Sequence, residues 1–131
     1  MSKMNAKDAE TRLIAFASTM PHAWEDHPWE HTVLKVGKKI FVFFGGAASP
    51  EDVLSVTVKL PISSEMALCL PHVFKAGHGL WKSGWVQVRQ SSGDDIDIET
   101  IRAWIVQSYR AVAPSRLAKL VGPALGSQEA T

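Results

Sequence analysis

A chain of 131 residues, 46% hydrophobic and 21% charged, can bury one sizeable core, and a second independent core is not expected at this size. No apolar run approaches the roughly 20 residues of a membrane-spanning helix, and the charged start Met1-Ser2-Lys3-Met4-Asn5-Ala6-Lys7-Asp8 lacks the apolar block of a secretion signal. The expectation is a cytoplasmic protein with no membrane partner, one domain over residues 1–123 and a flexible tail over 124–131. The single cysteine, Cys69, excludes an internal disulfide and reads as a buried, inert side chain.

Asn5 is placed to cap a first helix, in which Ala9, Leu13, Phe16, Ala17 and Met20 form one apolar stripe before Pro21 stops it. A loop rich in histidine and acidic residues follows. Thr32–Val36 and Lys39–Phe44 then read as a β-hairpin with its tip at Gly37-Lys38, Ile40, Val42 and Phe44 on one side and Phe41 and Phe43 on the other. Aromatics on both sides imply that both faces are at least partly covered. Leu54 to Leu60 alternates apolar and polar residues, the period of a half-buried strand. A short helix is expected over Ile62–Leu70, between Pro61 and Pro71, and strands over Val73–Ala76 and Trp85–Arg89, separated by a glycine-rich loop. Asp97 is a good cap for a last long helix with Ile98, Ile101, Ile105, Ser108, Tyr109 and Val112 inward, and a short helix follows Pro114. Short turns between strands force antiparallel pairing, which leaves the helices to pack on one face. The fold class is therefore α+β: a two-layer domain with a single curved antiparallel sheet of about five strands.

Charge is unevenly spread. From Val33 to Arg89 seven basic residues face three acidic ones, whereas both flanks are net acidic, so positive charge belongs to the sheet region. Lys35, Lys38 and Lys39 at the hairpin, with Lys75, Trp81 and Lys82 around the second loop, combine phosphate-neutralising charge with an aromatic able to stack on a base. These six are the candidate nucleic-acid-binding residues. His22, His27 and His31, with nearby carboxylates, are the weaker candidates for a metal site, since Pro21 and Pro28 argue against one continuous helix that would align them. No nucleophile elbow or phosphate loop is present in the sequence, so neither an enzyme nor a cofactor is expected.

The blocks Pro28-Trp29, Lys35-Val36-Gly37-Lys38-Lys39-Ile40-Phe41, Gly84-Trp85-Val86-Gln87-Val88 and Ile105-Val106-Gln107-Ser108-Tyr109 resemble the MmcQ/YjbR family. The resemblance extends from about Leu13 to Leu120. It implies a sheet backed by helices in the order α-β-β-β-α-β-β-α, a fold shared with type III secretion chaperones. It also implies a non-enzymatic protein that binds double-stranded DNA through two β-wings, here the loops at Gly37-Lys38-Lys39 and from Gly77 to Gly84. Many relatives carry a Gly-Tyr-His-Met-Asn-Lys-like segment before the tryptophan strand, where this chain has Ala76-Gly77-His78-Gly79-Leu80-Trp81-Lys82-Ser83-Gly84. The alternative function is a protein-interaction module, a homodimer or a chaperone-like protein, with no nucleic-acid role.

Overall fold

A computed structural model describes residues 5–28, 31–45, 53–77, 79–91 and 95–121. In chain order it contains α1 (Ala6–Ala17), β1 (Ala23–Asp26), β2 (Thr32–Val36), β3 (Lys39–Phe44), β4 (Val53–Lys59), α2 (Ser64–Ala67), β5 (Val73–Lys75), a 3₁₀ turn (Leu80–Ser83), β6 (Trp85–Ser91), α3 (Ile98–Val112) and α4 (Ser115–Ala118). All strands join one antiparallel sheet in the order β1-β2-β3-β4-β6-β5.

Local chemistry sets the helix starts. Asn5 Oδ1 accepts the Asp8 amide at 2.7 Å, and Asp97 accepts both the Thr100 amide at 3.1 Å and its hydroxyl at 2.6 Å; each cap satisfies an N–H that the first helical turn leaves without a partner. The Arg110 guanidinium donates to the carbonyls of Ala118 and Val121 and so ties the end of α4 back to α3. Apolar residues of α1 (Ala9, Leu13, Ala17), α3 (Ile101, Ile105, Tyr109) and α4 (Leu117) bury against the inner sheet face, formed by Leu34, Val42, Phe44, Val56, Val58, Val86 and Val88. A fully buried side chain of this size contributes about 1.5–3 kcal/mol relative to exposure.

One irregularity organises the join between the layers. Leu34 pairs with Val42 but Lys35 pairs with Ile40, so Phe41 is the extra residue of a β-bulge. Strict alternation assigns Phe41 to the side of Phe43; the bulge instead turns it into the core, where its ring meets Tyr109 edge-on at a centroid distance of 5.1 Å. The Ser108 hydroxyl donates to the Phe41 carbonyl at 2.5 Å, and its Oγ in turn accepts the Lys59 amide N–H at 2.8 Å. One fully buried serine of α3 thus binds two neighbouring strands. Next to it, the Tyr109 hydroxyl donates to the Pro21 carbonyl at 2.6 Å and secures the exit of α1. Burial raises the Tyr109 pKa above its ordinary value.

The structure departs from the sequence-based expectation at several points. The sheet has a sixth strand, β1, in the segment expected to be a loop. Only Ser64–Ala67 of the expected 62–70 helix is α-helical. Cys69 is exposed rather than buried, with its thiol 3.5 Å from the Glu65 carbonyl, because the short helix ends before a buried face can extend to it. Trp85, which its size and its place in an apolar strand would assign to the core, is buried instead on the outer sheet face against Phe43. Trp29, the 46–52 turn, His78 and the tail over 124–131 lie outside the described residues.

Candidate nucleic-acid interface

Strand register determines where the lysine loops sit. The hairpin turns through Gly37 and Lys38, with Gly37 at φ +64° in the first central position, where a two-residue hairpin of type II′ favours glycine. β3 leaves this turn and pairs Val42 with Val58 of β4, which brings Ile40 level with Leu60 in the same register. Lys59 then pairs with Trp85, and Val86 of the same strand with Lys75 of β5. The hairpin tip, the end of β4, the end of β5 and the turn Leu80–Ser83 therefore share one end of the sheet.

The second loop is fastened there by backbone. The carbonyl of Gly84, a residue at φ +92°, accepts the Leu60 amide N–H at 2.8 Å; a Cβ on Gly84 would lie 2.9 Å from the Pro61 Cα. Ala76 N–H closes the base of the loop on the Trp85 carbonyl at 3.3 Å. Lys75 Nζ lies over the Trp81 ring, 4.2 Å from its centroid, a distance at which the ring quadrupole attracts a cation. Trp81 remains 42% exposed. These two residues, Lys82, Pro61, Glu65 and Leu68 border a hollow of about 500 Å³.

Lys38, Lys39 and Lys82 are exposed at this end. Lys35 differs: its ammonium pairs with Asp26 at 2.8 Å and lies 5.1 Å from the Trp24 ring centroid, so its charge is matched within the protein. The hydrogen bond from Lys35, followed by that from the His27 amide, holds the Asp26 carboxyl below its ordinary pKa. Trp24 also donates its indole N–H to the Gly37 carbonyl at 3.0 Å, bracing the turn that carries Lys38 and Lys39. Neither this brace nor Lys59 at the same end was singled out from sequence. Trp24 could have been found only by recognising β1, and Lys59 by aligning the end of β4 with the hairpin tip.

The histidines do not gather. His22 occupies the turn before β1 at φ +58°, His27 follows β1 with Nε2 2.7 Å from Glu25 Oε2, and His31 borders a groove on the outer face. His22 and His27 flank an extended strand and are separated by roughly 16 Å along it. Among the described residues no group of three or more His, Cys, Asp or Glu side chains could hold a metal ion, and no helix is long and apolar enough to cross a membrane.

A single antiparallel sheet, covered by helices on one face and carrying lysine loops at one end, defines a small α+β protein of the YjbR-like class. The family model described as YjbR matches residues 18–111, and the chain belongs to this family. Among solved structures it is similar to the Deinococcus radiodurans protein DR2400, of domain DUF419, at 22% identity and a TM-score of 0.65, over 92% of this chain and 90% of that one. It is also similar to a Pseudomonas syringae structural-genomics protein at 18% identity and a TM-score of 0.60, over 77% of this chain and 96% of that one. No curated protein matches significantly. Likeness at these identities shows the fold alone.

Proposed function

We propose that this protein is a non-enzymatic DNA-binding module that grips the phosphate backbone of a duplex with the basic end of its sheet. The observation that carries this reading is the shared end of the two lysine loops, which follows from the strand registers. Three inter-strand spacings separate β3 from β5, about 15 Å, comparable to the roughly 12 Å width of the B-DNA major groove. Lys38 and Lys39 on one side and Lys75 and Lys82 on the other can then meet phosphates on opposite strands. Lysines supply point charges without the bidentate geometry that reads base edges, so binding is weak in sequence preference. Trp81, partly exposed beside Lys75 and Lys82, offers a flat apolar contact at the edge of this footprint. Changing Lys38, Lys39 and Lys82 together to Glu tests the reading: loss of duplex binding with an unchanged melting temperature is expected, and parental affinity in the variant would refute it.

A second reading, self-association, is favoured by one feature. Around the short helix α2, Ile62, Met66 and Leu70 are 95%, 76% and 38% exposed, large apolar side chains open to solvent of the kind that marks protein contacts. Sedimentation of the parent and Met66→Glu checks it. A dimer in the parent that the variant dissolves supports this reading, and a monomeric parent at high concentration removes it.

A further inference from the structure

The outer face of the sheet carries a second arrangement of side chains that the basic end does not use. Cross-strand pairing lines up Val33, Phe43, Thr57, Gln87 and Phe74 in one row over five strands. Apolar and aromatic residues occupy the row's flanks and two polar residues its middle. Leu80 and the backbone of Ala76 and Gly77 rise on one side and His31 on another, enclosing a groove of about 380 Å³ with Phe43, Thr57 and Gln87 on its floor. That size falls within the range of small-molecule sites, about 300–1,000 Å³, which are typically apolar with a few convergent polar groups.

The polar groups are specific in what they can bind. Gln87 Nε2 donates to Ser55 Oγ at 3.1 Å, and Ser55 is only 2% exposed, so the carboxamide is anchored from beneath. Its Oε1 and second N–H have no protein partner among the described residues, and neither has the Thr57 hydroxyl. An anchored amide presents one acceptor beside one donor, the pattern that matches the N6–H and N7 of adenine. Phe43, itself propped edge-on by Trp85 at 5.5 Å, supplies a flat apolar wall. Among the described residues no Lys, Arg, Asp or Glu borders the groove, which favours an uncharged ligand over a phosphate or a carboxylate. Two further hollows among the described residues differ. The one beside Trp81 belongs to the basic end, and in a third, bordered by His72, Arg89 and Asp95, the buried Gln90 Oε1 is closed off from the surface.

We infer that this groove is a binding site for an uncharged planar heterocycle with a donor–acceptor edge, specifically the adenine ring of a nucleoside. It is independent of duplex binding, because a nucleoside has no phosphate for the lysines to hold.

The test is a titration of the 15N-labelled protein with adenosine, guanosine, uridine and, as an apolar ring of similar shape, indole, followed by NMR. Adenosine is expected to shift the amides of Thr57 and Gln87 saturably, with little dependence on salt and no change in the Lys38→Glu, Lys39→Glu, Lys82→Glu variant. Gln87→Leu should weaken it about tenfold or more, and Thr57→Val, a milder change to the same floor, should weaken it less. Absence of saturable shifts, equal binding of indole, or parental adenosine affinity in both Gln87→Leu and Thr57→Val would overturn the assignment. None of these results bears on duplex binding, whose own test is the lysine reversal.

Discussion

The two faces of the same sheet solve different problems. The inner face presents aliphatic and aromatic side chains to the helices, and its main polar contact, Ser108, has both its hydrogen bonds inside the protein. The outer face buries Val33 and Trp85 as thoroughly as a core would, yet leaves the Oε1 of Gln87 and the hydroxyl of Thr57 without partners among the described residues, beside the ring of Phe43. A polar group with every bond made stabilises a fold; one left open beside a groove is available to a ligand. The difference teaches that the inner face holds the molecule together and the outer face is free to bind.

Substitutions can break this contrast. The largest effect is expected from Ser108→Ala, which strands the buried Phe41 carbonyl and the Lys59 amide together and should cost roughly 2–4 kcal/mol in a urea unfolding titration. Gly84→Ala should come next, at roughly 2–3 kcal/mol, because it adds a Cβ at positive φ against the Pro61 backbone; the loss should appear as a lower thermal midpoint. Gln87→Leu should cost less, about 1 kcal/mol by the same measurements, since its amide bonds only the single buried hydroxyl of Ser55. A loss as large as that of Ser108→Ala would erase the distinction between the faces.

The smallest effect concerns Glu10, whose pKa burial raises despite the opposing charge of Lys7. A carboxyl that binds its proton more tightly when folded favours the folded state below its unfolded pKa, ordinarily 4.5, and that contribution is lost as pH rises through the raised folded value. Glu10→Gln should therefore raise the melting temperature by about 1–2 °C at neutral pH. The gain should vanish below pH 4.5, as thermal scans across pH would reveal.

What could be read from sequence was what neighbouring residues decide. The cap at Asp97, the glycine turn at Gly37 and the alternation of Leu54 to Leu60 are local signals, and all three elements are present. Strand β1 was hidden because a four-residue edge strand, mostly open to solvent, carries no apolar period of its own; it exists through pairing with β2. The bulge at Phe41 was hidden for a related reason, since an extra residue is defined only against the partner strand. The lysines of the candidate interface were visible by type and spacing. Their shared end, and the matching of Lys35 by Asp26, depend on strand order. The outer groove was not visible at all, because His31, Phe43, Thr57, Leu80 and Gln87 come from separate segments.

The most direct test of the basic end is the salt dependence of duplex binding, followed by fluorescence anisotropy on a short labelled duplex. Three to four lysine–phosphate contacts predict a log–log slope of about −3, nearly unchanged between duplexes of unrelated sequence. Failure to associate at low salt, or a slope near zero, would contradict it.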